Sequence, residues 1–314
     1  MCSDCYLSGG NAVPEDPYSG DFPFVSVVIP VLNDSVRLRT CLKAVLSQNW
    51  PRERFEIIIV DNGSKYPPVF FAAEHGAVLI EESIPGSYAA RNKGILKAKG
   101  DIIAFTDADC VPEKNWIREG VSCITSRKNI GFVGGEIRII TKGEGSLFEL
   151  YDQLNHFDQK RFVMRNKFAA TANLFTKKSV IDIVGKFNPK FKSFGDVEWG
   201  KRVADHGYRA VYHKNCVVWH PAINNFKDLQ YRSRRLAGGY IMMRRWQGYD
   251  RCSDIPLLFL HWFGFPFFMV KRFLDSRLKG VRQRTSFLLI SSIVHLFKGV
   301  EELRLFFKPN TEER

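Results

Sequence analysis

Two aspartates one residue apart, Asp107-Ala108-Asp109, follow an apolar run, Ile102-Ile103-Ala104-Phe105-Thr106. Carboxylates this close repel each other unless a cation sits near them. Oxygen donors of this kind suit Mg2+ or Mn2+, which bind through one or two carboxylates plus substrate phosphates. A solvated acidic turn would also explain the tripeptide, but its place after a buried strand favours a site. Asp61-Asn62-Gly63-Ser64 ends a second apolar run. There a carboxylate can accept from a base N–H or a ribose hydroxyl, or the segment is a plain Asn-Gly turn. Gly86-Ser87-Tyr88-Ala89-Ala90-Arg91-Asn92-Lys93-Gly94 reads as the start of a helix with two cations in its first turns. Helix amides and a cation together suit a diphosphate. Phe194-Gly195-Asp196-Val197-Glu198-Trp199 sets two acids at a helix start. They serve there either as a cap or as a general base for an acceptor hydroxyl.

These residues need a frame. Val25-Ser26-Val27-Val28-Ile29-Pro30 is a short apolar run stopped by proline, and Asn33-Asp34-Ser35 reads as the cap of a helix carrying Leu38, Cys41, Leu42, Val45 and Leu46. Strands are expected at residues 55–61, 77–80 and 101–106, with a helix at 88–99. Continuous apolar runs alternating with helices predict a parallel arrangement covered on both faces. In such sheets ligands sit beyond the carboxyl ends of the strands. Asn33, Asp61 and Asp107 to Asp109 all fall there. Further strands are expected at 132–140 and 210–219, and helices at 145–165, 177–184 and beyond Phe226. Asn173, in Ala169-Ala170-Thr171-Ala172-Asn173-Leu174-Phe175, is either a site residue or a plain strand or turn Asn.

Taken in order, Val25 to Asn33, Val60-Asp61-Asn62-Gly63-Ser64, Ala89-Ala90-Arg91-Asn92-Lys93-Gly94 and Asp107-Ala108-Asp109 resemble family 2 glycosyltransferases over residues 24–221. The resemblance implies an α/β GT-A fold, Rossmann-like, with a mixed sheet flanked by helices. It implies an inverting, hexosyltransferase-type enzyme that takes a nucleotide-diphosphate sugar, UDP-sugar favoured, with Mn2+ or Mg2+. On that resemblance Pro30, Asn33, Asp61, Arg91, Asp107 and Asn173 fall on the donor side. Asp61 looks like the nucleobase contact, Arg91 the diphosphate contact and Asp107 the ribose and donor contact. Asp109 resembles the metal ligand, joined by His220 of Trp219-His220-Pro221. Asp196 looks like the general base. Gly195 stands where the family usually has Glu, and Glu198 is the expected substitute. A single displacement of this kind uses no nucleophilic Ser or Cys.

The chain has 314 residues, with 45% hydrophobic and 25% charged residues, ordinary for a globular protein. Its formal charge is +13. Residues 231–314 hold sixteen Lys and Arg against seven Asp and Glu, and they are rich in Phe, Leu and Trp. Basic and aromatic together suit an anionic membrane surface. Residues 255–270 lack any Asp, Glu, Lys or Arg, yet they fall short of the roughly 20 needed to span a bilayer. Helices in the membrane interface are expected, with a homodimer or domain interface as the competing use. The expected division is a leader at 1–23, a catalytic domain at 24–230 and a basic, aromatic, membrane-associating tail at 231–314. Seven scattered cysteines, with Cys2 and Cys5 as one C-x-x-C pair, indicate free thiols and a reducing compartment. No secretory signal is read. The expected place is the cytoplasmic side, peripheral on the inner face of the plasma membrane, in polysaccharide biosynthesis. The acceptor is then a glycan or a lipid-linked saccharide. A nucleic-acid partner is excluded for want of a binding motif. The alternative function is a non-catalytic carbohydrate-binding or interaction module on the same fold, suggested by Gly195.

Overall fold

A computed structural model describes residues 22–141, 146–155 and 157–307, with only the backbone of Lys271. The expected leader through Asp21, with Cys2 and Cys5, and residues 308–314 lie outside the described residues.

Val25–Val31 forms β1, Ser35–Leu46 α1, Phe55–Asp61 β2, Val69–Glu74 α2, Val78–Glu81 β3, Ser87–Lys97 α3 and Ile102–Thr106 β4. β1, β2 and β4 are buried along nearly their whole length, as central strands covered on both faces must be. Asp34 caps α1, its carboxylate accepting from the Arg37 N–H at 3.4 Å. The four strands run parallel in the order β3-β2-β1-β4. The chain winds to one side of β1 through β2 and β3, then returns on the other side as β4. That reversal opens a crevice at the carboxyl ends of β1 and β4.

Val111–Pro112 (β5), Trp116–Thr125 (α4), Ile130–Ile140 (β6), Leu147–Asn155 (α5), Gln159–Asn166 (α6), Asn173–Lys177 (β7), Lys178–Val184 (α7), Gly195–Asp205 (α8) and Arg209–Pro221 (β8) follow. β7 inserts antiparallel between β4 and β6, and β6 pairs parallel with β8. The result is an eight-stranded mixed sheet, β3-β2-β1-β4-β7-β6-β8-β5. The helix expected over 145–165 is split into α5 and α6.

Alternate strand residues feed opposite faces. Val27, Ile29, Ile57 and Ile59 join Leu38, Leu42 and Val45 of α1 and Trp116 of α4. Val28, Ile58 and Val60 join Ala90 and Ile95 of α3 and Trp199 and Val203 of α8. Gly94 lets α3 lie close on β1, since a Cβ there would stand 2.4 Å from Val28 Cγ1.

Phe226–Trp246 (α9), Ile255–Phe263 (α10), Phe265–Phe273 (α11) and Gly280–Phe307 (α12) complete the chain. The boundary expected at 230/231 falls inside α9, which sends Met243 into the second core layer. The tail is therefore not separable there. The apolar run 255–270 is two short helices, each with a proline in its first turn and with Gly264 between them. α5, α9 and α12 share a small core of Tyr151, Leu229, Phe287, Ile290 and Val294. Among the described residues, no helix is long and apolar enough to cross a membrane.

Candidate active site

The strand ends open on a cavity of about 860 Å³. Pro30, Asn62, Gly86, Ser87, Arg91, Asp107 and Asp109 line it from the sheet and α3, while α9 and α12 supply Arg234, Arg235, Arg245 and Arg304. Gly86 precedes α3 with φ +125°, a conformation that suits glycine, and brings the first amides of the helix to the cavity.

Each acid is placed by a strand. Asp107 leaves β4 and meets Arg91, a buried guanidinium from α3. Asp109 lies two residues on. The pairing of β5 with β8 sets Val111 opposite Trp219 and so brings His220 alongside. Asp109 Oδ2 stands 3.6 Å from His220 Nε2 and 3.6 Å from Arg37 Nη1. Burial, with Asp107 beside it, pushes the Asp109 carboxyl above the usual range against the pull of His220 and Arg37. Ligand atoms of Asp107, Asp109 and Cys110 lie within 4.8 Å of one another. The Cys110 thiol is fully buried, and burial pushes its pKa well up. Two carboxylates and an imidazole fit a divalent cation of the Mg2+ or Mn2+ kind.

Asp61 is only 2% exposed. One carboxylate oxygen, Oδ2, accepts from the Ser64 N–H at 3.1 Å. The other, Oδ1, is buried with no partner among the described residues, so it suits a ligand's N–H or O–H. Asn62 fixes the exit of β2: its amide donates to the carbonyls of Glu82 and Ile84, both at 2.8 Å, and accepts from the Gly86 N–H at 2.7 Å. Asn33, in the left-handed region at φ 53°, donates its N–H to Ser64 Oγ, and its side-chain oxygen accepts from the Lys65 N–H. It stitches two exit loops together; Asn33, Asp61 and His220 do not themselves line the cavity, though Asn33's neighbours Leu32 and Asp34 do.

Asp196 lies in the first turn of α8 and is half-buried. The Tyr88 hydroxyl hydrogen-bonds to its carboxylate, and Arg91 is close enough to act on it electrostatically. Burial pushes its pKa up, and the Tyr88 hydrogen bond and Arg91 only partly offset this. Neither Asp196 nor Tyr88 lines the cavity, though Ser87, the residue before Tyr88, does. The same geometry explains Gly195. A Cβ there would stand 2.7 Å from the Tyr88 ring, so Tyr88 fills the space a longer side chain would need.

Two expected site residues are interior struts. Glu198 is buried and pairs with Arg202, at 2.9 Å to Nη2, and Arg202 also donates to the carbonyls of Val184 and Lys186. It ties α8 to α7 and does not substitute for the missing Glu. Asn173 is fully buried. Its oxygen accepts from Trp116 Nε1 at 2.8 Å, and its amide donates to Glu136 O and Cys216 O at 2.8 and 2.9 Å. That side chain is spent inside the sheet and does not line the cavity. Reasoning from sequence missed Tyr88, Arg37 and the α9 arginines. The arginines had a signal, the helical spacing of Tyr231, Arg234, Arg235, Gly238, Met242 and Arg245 within the most basic quarter of the chain.

The chain is similar to known proteins. The glycosyltransferase AglE of Haloferax volcanii is 37% identical over 227 residues, covering 70% of this chain and 74% of its own. A mannosyltransferase, PcManGT of Pyrobaculum calidifontis, solved with GDP-Man and Mn2+, superposes with a TM-score of 0.63 at 16% identity, over 98% of this chain and 92% of that one. GalNAc-T7, solved with UDP, GalNAc and Mn2+, gives a TM-score of 0.53 at 18% identity, over 74% of this chain and 52% of that one. The two structures share the GT-A fold. Residues 26–185, which include Asp61, Arg91, Asp107 and Asp109, match glycosyl transferase family 2. With a strand-end acid cluster, a GT-A sheet and a curated relative that agree, the chain is a glycosyltransferase and belongs to family 2.

Proposed function

We propose that this glycosyltransferase moves a sugar from a UDP-sugar to a hydroxyl of a lipid-linked saccharide or polysaccharide precursor, with inversion at the anomeric carbon. What supports this most is the sharing of one cavity by Asp107, Asp109, Arg91 and the amino end of α3. A diphosphate needs cations and amides, and a sugar nucleotide needs acids beside them. Asp109, Asp107 and His220 would hold Mn2+ or Mg2+, and such an ion offsets the charge of the departing nucleoside diphosphate. Solved GT-A neighbours that hold Mn2+ with a nucleotide or nucleotide sugar are consistent with this. Asp61 accepts from the base through its unpartnered oxygen. Arg91, already beside Asp107, faces the diphosphate. Asp196, its pKa raised by burial, takes the acceptor proton as the hydroxyl attacks from the face opposite the leaving group.

The same proposal places the enzyme on the cytoplasmic face of the plasma membrane. α10 and α11 expose Phe259, Phe263 and Phe267, with basic residues close by in sequence. The test is metal-dependent turnover of a panel of UDP-sugars, with the anomeric configuration of the product read by NMR. Asp109→Asn and Asp196→Asn are each expected to cut transfer by about 10²–10⁴-fold while keeping the wild-type circular dichroism spectrum. Wild-type turnover in either variant removes its assigned role, and a product that retains the donor's configuration removes the single displacement.

A further inference from the structure

One face of α3 holds two polar side chains a turn apart. Tyr88 hydrogen-bonds the Asp196 carboxylate, and Asn92, four residues on, faces the segment that runs from α7 to α8. Asparagine is a weak helix former, because its amide competes for backbone groups outside the helix, so a place in mid-helix needs a tertiary reason. Here the amide makes two bonds to one residue. Asn92 Nδ2 donates to the Phe187 carbonyl at 2.7 Å, and the Phe187 N–H donates to Asn92 Oδ1 at 3.0 Å. A carboxamide carries the donor and the acceptor that the backbone of one residue needs. Phe187 is 3% exposed and belongs to no helix or strand, so without Asn92 its backbone would lack these partners. Its ring centre stands 5.6 Å from that of Tyr88, 5.5 Å from Phe105 and 5.3 Å from Trp199. Trp199 lies on α8, one turn after Asp196. The fixed ring thus lies between the helix that supplies Tyr88 and the helix that supplies Asp196. Asn92 itself does not line the cavity.

We infer that Asn92 is a positioning residue for the proposed base: it locks Phe187 in place, and the Phe187 ring keeps Tyr88 on the Asp196 carboxylate. This rests on the reading of Asp196 as the base. The charged and titratable groups that face Asp196 are Tyr88 and Arg91 of α3, and Arg91 is paired with Asp107 at the exit of β4. On its own helix, Glu198 is paired with Arg202. The Asn92 side chain bonds none of these, so its influence on the base passes through Phe187 and Tyr88. Aromatic rings in edge or tilted contact hold one another by packing. Losing the backbone lock frees the Phe187 ring, and a freed ring lets the Tyr88 hydroxyl drift from the carboxylate. A weaker hydrogen bond to the ionised carboxylate raises its pKa.

The test uses the full chain grown with tyrosine carrying 13C at Cζ, the Tyr88 resonance being assigned through Tyr88→Phe. That resonance is expected to follow the ionisation of Asp196 across the acid and neutral range, and Asp196→Asn is expected to abolish its titration. Asn92→Ala is expected to move the midpoint up by about 0.3–1 pH unit. Phe187→Leu keeps both backbone bonds and removes the ring contact. It is expected to move the midpoint the same way, with little further change when the two substitutions are combined. An unmoved midpoint in Asn92→Ala overturns the inference even if the variant melts lower, since a purely structural tie does only that. Fully additive shifts overturn it as well, because the path then does not run through Phe187. A Tyr88 signal indifferent to Asp196→Asn overturns it by removing the contact. If Asp196→Asn keeps wild-type turnover, the base reading fails on its own, and the midpoint still decides whether Asn92 holds Tyr88 on the carboxylate. Asn92→Ser carries the same test if Asn92→Ala does not fold.

Discussion

Tyr88 and Asp196 are 108 positions apart, and their contact sets the chemistry of the proposed base. A hydrogen bond to the ionised carboxylate lowers its pKa, and burial raises it by more. Tyr88→Phe removes the first effect and keeps the second. The acid limb of the kcat/KM profile is therefore expected to move to higher pH in that variant, and an unmoved limb would detach Tyr88 from the base. Stability follows the same sign. A carboxyl whose folded pKa is raised favours the folded state most when protonated, and that contribution is lost as pH rises through the folded pKa. Asp196→Asn is therefore expected to melt about 1–3 °C higher than wild type at pH 7, with the gap closing toward pH 4. Differential scanning calorimetry at both pH values checks this. Asp61, Asp107 and Asp109 were legible in the sequence because strand ends mark them, and Arg91 because it falls early in the helix that follows Gly86. Tyr88 was not, since a contact across so many residues leaves no local spacing to read.

Elements hold these residues at the right height. Asn173, the first residue of β7, bonds α4, β6 and β8 to one side chain. Asn173→Ala strands a buried indole N–H and two carbonyls. It is expected to cost roughly 2–5 kcal/mol in a urea titration while leaving the KM for the donor unchanged. A changed KM with normal stability would return Asn173 to the site. Gly94→Leu is expected to destabilise by about 1–3 kcal/mol and to weaken donor binding, because α3 carries Arg91 and would lift from β1. β1, β2 and β4 could be read directly, as continuous apolar runs ending in polar turns. β5 could not, being two residues long. The antiparallel insertion of β7 is a matter of long-range pairing, which no local pattern encodes. Asn173 was left between a site residue and a plain strand Asn for the same reason: its partners come from three other elements.

At the scale of the whole molecule, basic charge and apolar surface gather at one end of the chain. Phe259, Phe263 and Phe267 are 61%, 66% and 83% exposed. The full chain is expected to sediment with anionic vesicles, more weakly as salt rises, and replacing all three with Ser is expected to reduce this by about tenfold. Retention of binding by the triple variant would exclude these helices as the contact. Concentration-dependent dimers that vanish in the variant would assign the face to a second copy instead. The basic, aromatic character of this end was evident from composition, but its attachment to the core was not. α9 reaches into the sheet through Met243 and lines the cavity through its arginines. Shortening the gene to obtain an easily handled enzyme is therefore expected to cost catalysis: a stop codon near position 226 removes a flank of the cavity along with the greasy exterior. Solubility is better sought by swapping individual outward-facing phenylalanines.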